Sequence, residues 1–166
     1  LRDKDKDGTF ETRGVFADGL NQPYGVLILK NYFYVANTDG LYRYPYKVGD
    51  TKLQGQGEKI VELPAGGHNN HWRRNLIANA DGSKIYISVG SASNVAEHGM
   101  DEEIRRANIL EINPDGSGER IFASGLRNPV GMDWNPANKE LWTAVNERDE
   151  LGDNLVPDYI TSVKDG

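Results

Sequence analysis

Cysteine is absent from this chain of 166 residues. The absence excludes disulfides, thiol nucleophiles and zinc or iron–sulfur sites held by cysteine. Long hydrophobic runs are also absent, since the aliphatic run at residues 26–29 is far shorter than the roughly 20 residues of a membrane-spanning helix. Basic residues are outnumbered, with 19 Lys and Arg against 25 Asp and Glu and a net charge of −6. We therefore expect neither a nucleic acid nor an anionic membrane as a partner, because both bind clustered cations.

Glycine and proline, 19 and 7 residues respectively, are spread along the whole chain and indicate many turns. Between them lie short segments rich in β-branched and aromatic residues, at 33–36, 85–89 and 141–145. Such segments, bounded by Asp, Gly or Asn, are typical of strands. Asp81-Gly82 predicts a hairpin turn, and the only candidate helix is the short charged segment 102–107. The sequence therefore predicts an all-β fold.

A repeat underlies these strands. The phrase Gly-Leu-x-x-Pro-x-Gly occurs at 19–25 and again at 125–131, each time before an apolar strand, a turn and a second strand. Aligning Phe33, Ile85 and Leu141 gives steps of 52 and 56 residues. A period near 50 residues is typical of β-propeller blades, whereas a sandwich has turns every 8–12 residues without a longer period. The predicted blade-like repeats are 19–46, 71–112 and 121–160.

The length allows only part of such a ring. Propellers have roughly 4–8 blades of about 50 residues each, so 166 residues supply about three. An open stack of three blades would leave strand edges unpaired and an apolar face uncovered. We therefore expect that the chain is a fragment or that further chains complete the ring. Leu1 in place of an initiator Met also leads us to expect a processed or excised chain.

A loop at residues 66–75 combines two histidines, two arginines and a tryptophan behind a pair of glycines. An imidazole accepts a proton near neutral pH, and guanidinium groups hold anions, so the loop is a candidate catalytic site with His71 or His68 as base. The two histidines, three residues apart, could also share a metal, but a third ligand is missing from the nearby sequence. The alternative is a solvated polar loop in which His71 caps a strand.

Arg127 is the second candidate. The proline of Arg127-Asn128-Pro129 restrains the turn, which we expect to lie on a rim of the propeller, where propeller sites usually are. The alternative is a structural arginine that joins two blades.

Acidic residues form the third candidate, in the N-terminal segment 1–14. Asp3, Asp5 and Asp7 alternate before a glycine, as in a calcium loop, where many oxygens surround one ion. The twelfth position of an EF-hand loop would be Gly14 and not Glu, although Glu11 lies nearby. The alternative is a solvated terminal linker.

A second oxygen-rich stretch follows the strand at 141–145. Its carboxylates, from Glu147, Asp149 and Asp153, together with turn carbonyls, are candidate calcium ligands. An ordinary acidic loop is the alternative.

Seven phrases of the chain, in order and over nearly its whole length, resemble one family: the soluble pyrroloquinoline quinone (PQQ)-dependent glucose/sorbosone dehydrogenases, most closely the sorbosone dehydrogenase-like branch. They include HWRRNL at 71–76 and NERD at 146–149. The full set lies at residues 3–8, 34–39, 66–76, 81–91, 107–116, 125–131 and 145–149.

The resemblance implies a six-bladed β-propeller that binds PQQ on one face with Ca²⁺ against the cofactor. It implies a histidine, best matched by His71, that removes the proton of the sugar C1 hydroxyl while hydride passes to the quinone. It also implies that Arg127 and Asn128 contact the cofactor and that residues 147–153 form a calcium loop. His68 is the alternative base, because it lies three residues upstream in an expanded loop.

The later blades of this family, which supply further Lys and Arg groups to the cofactor, are missing here. The sequence therefore predicts about half of a periplasmic or secreted quinoprotein sugar dehydrogenase, not expected to be active alone, whose partners are a sugar and the further blades or chains that complete the ring. The alternatives are a non-catalytic propeller fragment acting as a binding or structural module, and a gluconolactonase-like calcium-dependent hydrolase.

Overall fold

The computed structural model describes residues 1–166 and confirms the all-β prediction. It contains eleven strands and one short 3₁₀ helix at Met100–Glu103. The strands are β1 (Gly25–Leu29), β2 (Tyr32–Asn37), β3 (Gly40–Pro45), β4 (Glu58–Glu62), β5 (Leu76–Ala78), β6 (Ile85–Val89), β7 (Asn108–Ile112), β8 (Arg120–Ser124), β9 (Pro129–Trp134), β10 (Leu141–Val145) and β11 (Tyr159–Val163).

These strands form three antiparallel sheets in chain order, β1–β4, β5–β8 and β9–β11. Phe33, Ile85 and Leu141 lie in β2, β6 and β10, the second strand of each sheet, so the repeat is also a structural repeat. The turn at Asp81-Gly82 joins β5 to β6, with Gly82 at φ +67°, as the hairpin prediction requires. Strand β8 lies where the third repeat was expected to begin, but it pairs with β7 and completes the second sheet.

The three sheets are arranged radially, with their first strands adjacent to one another. Strand β1 contacts β5, and β5 contacts β9. At the first junction the amide of Gly25 donates to the carbonyl of Arg74 at 2.8 Å. A β-carbon on Gly25 would lie 2.6 Å from the same carbonyl oxygen, so this close approach requires glycine. The arrangement places the loops that enter β5 and β9 on the same edge of the structure.

The middle sheet is buried on both faces. Ile85, Ile87 and Val89 of β6 pack into a core shared with the first sheet, while Tyr86 packs into a second core shared with the third sheet. Side chains alternate between the two faces of a strand, so β6 has no solvent-exposed face. The middle sheet therefore holds its two neighbours in a fixed relation.

The outer sheets each keep an open apolar face. Val26 and Ile28 of β1 are 57% and 52% exposed, and Trp142 and Ile160 of the third sheet are 36% and 71% exposed. These exposed residues agree with the uncovered apolar face expected of an open stack of three blades.

The helix expected at 102–107 does not form. The 3₁₀ helix begins two residues earlier and ends at Glu103, because Arg105 and Ala107 have φ angles of +58° and +52° that no right-handed helix accommodates. The structure contains no helix with the length and hydrophobicity that crossing a membrane requires.

Candidate functional site

His71 and Arg127, 56 residues apart in the sequence, meet at Ser91. His71 lies in the loop before β5, Ser91 follows β6, and Arg127 lies in the loop before β9. The His71 Nδ1 atom is 3.0 Å from both the carbonyl oxygen and the hydroxyl oxygen of Ser91. The Ser91 amide donates to the carbonyl of Arg127 at 2.7 Å. The radial packing of the sheets therefore brings the two predicted catalytic residues to one edge.

The partners of His71 assign its tautomer. The carbonyl of Ser91 only accepts hydrogen bonds, and the Ser91 hydroxyl already donates to the carbonyl of Ser93 at 2.7 Å. Both oxygens near Nδ1 are thus acceptors, so we assign the proton of the neutral ring to Nδ1. Nε2 then carries a lone pair and is the atom able to accept a proton.

The surroundings of His71 favour the neutral ring. Burial lowers the pKa of the His71 imidazole below its usual range, and the positive charge of Arg127 lowers it further. The hydrogen bond to the Ser91 carbonyl acts in the opposite direction but is the smaller effect. His71 is therefore in the basic form at pH 7.

Arg127 joins two loops. Its Nε donates to the carbonyl of Asn94 at 2.8 Å, and one terminal nitrogen donates to the carbonyls of Asn146, at 3.0 Å, and Glu147. The other terminal nitrogen donates to the Asn94 side chain at 2.8 Å and to Asp149 at 3.2 Å. All three nitrogens thus have acceptors within the chain, which is the contact pattern of the structural alternative. The guanidinium holds the loop after β6 against the loop after β10.

Asn128 lies behind His71. Its side chain is 5% exposed, and its Oδ1 atom lies 2.6 Å from where a β-carbon on Gly90 would be. The Asn128 carbonyl accepts from the Asn146 amide at 3.0 Å. In this structure Asn128 therefore supports the two loops that carry the site.

A cavity of about 510 Å³ opens beside these loops, and three arginines, Arg106, Arg127 and Arg148, line it together with Ser91 and Asn94. His71 does not line this cavity but lies behind Ser91. The Nε atom of Arg148 is buried without a hydrogen-bond partner. Clustered guanidinium groups bind carboxylates and polarised carbonyls. Glu103 and Glu147 also line this cavity, so the positive charge is only partly uncompensated and suits one anionic or carbonyl group of a ligand.

Sequence reasoning missed Arg106 and Arg148 as lining residues. Arg148 lies in the phrase NERD, which was a visible signal, whereas nothing local distinguishes Arg106. Arg106 donates to the Asn69 side chain at 2.7 Å and to the Gly66 carbonyl at 3.1 Å, so it also contacts the loop that carries His71.

A second cavity, of about 570 Å³, lies within residues 146–158, and the predicted ligands Glu147, Asp149 and Asp153 line it. Their carboxylates do not converge on one point, because the only group of three or more such side chains close enough for a metal is at the N-terminus. Asp158, which sequence reasoning missed, accepts from the Glu147 amide at 2.9 Å, and this bond lowers the pKa of its carboxyl.

The N-terminal carboxylates do converge. Asp3, Asp5, Asp7 and Glu11 place ligand oxygens within 4.8 Å of one another. A backbone bridge between Arg2 and Thr12 closes this loop, and the amide of Gly8 donates to the Asp3 carboxylate at 2.9 Å. Glu11 thus adds a fourth carboxylate where the EF-hand pattern would use position 14. Calcium binding here stays a prediction.

His68 is placed differently from His71. Its exposed ring stacks on His98, with the ring centroids 3.4 Å apart and the planes 7° from parallel. The structure gives it no contact with Ser91 or Arg127. Of the two candidate bases, His71 is the one that lies at the meeting point of the loops.

Radial antiparallel sheets with polar loops on one edge define part of a β-propeller. The model of the TrAA12-like family matches residues 8–159, and the chain belongs to this family. The resemblance to PQQ-dependent sugar dehydrogenases is thereby confirmed.

Several proteins are similar to this chain. An uncharacterized protein of Borreliella burgdorferi is 28% identical over 155 residues, covering 89% of this chain and 40% of its own length. An iodide structure of the Trichoderma reesei carbohydrate-active enzyme of family AA12 has a TM-score of 0.67 and 19% identity, over 84% of this chain and 39% of that one. The holo PQQ domain of pyranose dehydrogenase from Coprinopsis cinerea has a TM-score of 0.67 and 14% identity, over 90% of this chain and 52% of that one. The chain thus spans about two fifths to one half of these proteins.

Proposed function

We propose that this chain supplies the catalytic-base side of a quinoprotein site that oxidises an aldose or sorbosone-type sugar at C1. The observation that carries the proposal is the neutral His71, hydrogen-bonded through Nδ1 to Ser91, beside a cavity lined by three arginines. Membership of the TrAA12-like family and the likeness to the PQQ domain of the Coprinopsis enzyme support the same function.

The residues of the cavity fit PQQ. This cofactor carries three carboxylates and a pair of quinone carbonyls, so its site requires cations and hydrogen-bond donors. Arg106, Arg127 and Arg148 provide the positive charge, and Arg148, whose Nε has no acceptor in the chain, provides the free guanidinium. When bound, PQQ supplies the acceptor for the hydride that leaves the sugar.

His71 acts as the general base. Its Nε2 accepts the proton of the sugar C1 hydroxyl, and the ring is then positively charged. The Ser91 carbonyl, 3.0 Å from Nδ1, accepts a hydrogen bond from the ring in both states and stabilises the charged form. Because the pKa of His71 is lowered, the ring is free to take this proton at neutral pH.

The arginines and Asn128 complete the polar side of the site. Arg127 holds the loops of Asn94 and Asn146 in place, and its positive charge favours negative charge that develops on a bound ligand. Arg148 lines the cavity and is not hydrogen-bonded through its side chain to the rest of the chain, so its guanidinium binds a carboxylate or carbonyl of the cofactor. Asn128 keeps its backbone and side chain in contact with both loops and, in the family pattern, lies next to the cofactor.

The rest of the site belongs to the missing half of the propeller. The chain covers 39% to 52% of the solved relatives described above, so further blades or chains close the ring over the cofactor. Calcium binds at the N-terminal carboxylates, which converge. The carboxylates of Glu147, Asp149 and Asp153 do not converge, so a second ion in their loop would need turn carbonyls as ligands. The protein is periplasmic or secreted.

A non-catalytic propeller module is the second candidate. The internal hydrogen bonds of all three Arg127 nitrogens favour it, because a fully paired guanidinium is not available to a ligand unless the loops move.

The test is binding of PQQ to the purified chain, measured by calorimetry with and without Ca²⁺. We expect Arg148→Met to weaken PQQ binding at least tenfold. The control is Arg105→Met, which should leave binding unchanged, because the Arg105 guanidinium pairs with Glu119 at 2.7 Å and does not line the cavity. In a propeller completed by the further blades, dye reduction by an aldose in the presence of PQQ, lost in His71→Gln, would support the catalytic role. Equal binding by the parent and the Arg148 variant would contradict the proposed site, and hydrolysis of a lactone without PQQ would favour the hydrolase.

A further inference from the structure

Arg74 is a buried cation without a carboxylate partner. Its side chain is 0% exposed, and every hydrogen-bond acceptor it contacts is a neutral oxygen. Burial lowers the pKa of Arg74 to about 10, and the nearby charge of Arg106 acts in the same direction. Burying an unpaired charge is costly, so the fold must gain something from the contacts of this guanidinium.

All these contacts lie in the loop that carries His71. One terminal nitrogen donates to the carbonyl of His71 at 2.6 Å and to that of Arg73 at 3.0 Å. The other donates to the carbonyl of Pro64 at 2.8 Å and to Oδ1 of Asn69 at 3.0 Å. The loop from 64 to 73 thus wraps around the Arg74 guanidinium.

The same loop is tied to its surroundings on both sides. The Asn69 side chain donates to Thr38 of the first sheet at 2.9 Å. The Asn70 amide donates to the carbonyl of Ala92 at 2.9 Å, next to Ser91. A change in the shape of this loop would therefore move His71 relative to the Ser91 oxygens that hold its ring.

We infer that Arg74 is a positioning residue for His71: its guanidinium holds the loop so that the imidazole meets Ser91. It acts through the backbone of His71 and does not contact a substrate. The catalytic consequence rests on the proposed function, whereas the position of the ring does not.

The geometry requires arginine in particular. The planar guanidinium offers two terminal nitrogens, each directed at a different pair of acceptors, whereas a lysine ammonium is a single point of charge and cannot reach both pairs. Arg43 of β3 is the control, because its guanidinium is also mostly buried and also donates to a backbone carbonyl, that of Pro114 at 3.3 Å, but makes no hydrogen bond to the loop 64–73.

The test is a pH titration of the imidazole signals by NMR, which is simple because the chain has only three histidines. In Arg74→Lys and Arg74→Met we expect the pKa of His71 to rise toward the ordinary value of about 6.5, because the ring leaves its buried place at Ser91. Arg43→Met should leave the His71 titration as in the parent.

Arg74→Lys separates the effect of charge from the effect of hydrogen-bond geometry, since lysine keeps the positive charge but cannot bond both pairs of acceptors. This variant also tests the inference if Arg74→Met fails to fold. An unchanged His71 titration in the folded Arg74→Lys variant would overturn the inference, as would an equal shift in Arg43→Met.

Activity gives a separate readout. If the PQQ-supplied protein oxidises a sugar, Arg74→Lys should lower kcat by about 10²-fold with little change in the KM for the sugar, as expected when a catalytic group is misplaced by about 1 Å. An unchanged kcat in that active protein would overturn the inference. A titration shift in a protein without dehydrogenase activity would support the positioning of His71 and contradict only the proposed function.

Discussion

A β-carbon on Gly90 would lie 2.5 Å from the β-carbon of His71. The same added atom would lie 2.6 Å from Oδ1 of Asn128. Gly90 directly precedes Ser91, whose oxygens hold the His71 ring, so the three loops of the site meet with no room for a methyl group between them. Gly90, which has no reactive group, therefore limits where His71, the proposed base, can lie.

Gly90→Ala should therefore displace His71 or Asn128. We expect the free energy of unfolding to fall by about 1–3 kcal/mol, as for other insertions into packed regions. In a completed propeller supplied with PQQ, we also expect sugar oxidation to be lost. Thermal and denaturant unfolding measure the first effect. Gly131→Ala is the matched control, because its added carbon would lie 3.8 Å from Ala144, an ordinary contact. Equal unfolding of the two variants would contradict the prediction.

The lowered pKa of His71 predicts a pH dependence of stability. The unfolded chain binds a proton at His71 near pH 6.5, while the folded chain binds it only at lower pH. The unfolded state therefore binds more protons in this range, and the contribution of His71 makes the protein less stable as the pH falls through 6.5. The difference in unfolding free energy between the parent and His71→Gln, measured from pH 5 to 8, should follow this sign. A difference that does not vary with pH would show that burial does not perturb this ring.

Removing the base should also slow the chemical step. In a propeller completed by its further blades and supplied with PQQ, His71→Ala should reduce sugar oxidation by about 10²–10⁴-fold. The exposed His68, stacked on His98, provides the control, since His68→Ala should leave the rate unchanged. Full activity in the His71 variant together with loss in the His68 variant would make His68 the base.

We expect the hydrogen bonds of Arg127 to hold the loop after β10 in place. Arg127→Met removes the donors to the carbonyls of Asn94, Asn146 and Glu147, and we expect a loss of about 1–3 kcal/mol, as for other unsatisfied buried groups. Because residues 151–160 are exposed, limited proteolysis there should become faster in the variant. A cleavage rate equal to that of Arg105→Met would mean that Arg127 does not hold the loop.

We expect the N-terminal carboxylates to bind Ca²⁺. Asp3, Asp5, Asp7 and Glu11 converge within 4.8 Å, and Ca²⁺ takes oxygen ligands at about 2.3–2.6 Å. Calorimetric titration with Ca²⁺ should give a binding isotherm that Asp5→Ala weakens and that Asp18→Ala, outside the cluster, does not. A titration of Asp5→Ala that matches the parent would contradict a metal site here.

Local sequence patterns predicted much of the fold. The apolar segments around Phe33, Ile85 and Leu141 became the second strand of each sheet, because alternation, β-branched residues and Gly or Pro turns act over a few residues. The charged segment at 102–107 also looked helical locally, but the positive φ angles of Arg105 and Ala107 end that helix at once.

The residues of the candidate site could be predicted from the sequence only in part. The resemblance to the dehydrogenase family marked His71 and Arg127, and the structure places both at Ser91. The burial of Arg74 and the cavity position of Arg106 had no local signal. Each depends on loops from different sheets that pack together.

The sequence by itself determined the strands, the turns, the repeat near 50 residues and the lack of any cysteine chemistry. Only the tertiary structure decided which loops meet, which histidine is buried and which arginines share a cavity. The physical reason is that the middle sheet is buried on both faces, with Ile85 and Ile87 on one side and Tyr86 on the other. This packing sets the angle between the sheets, and that angle brings residues 20 to 56 positions apart, His71, Ser91 and Arg127, to one point.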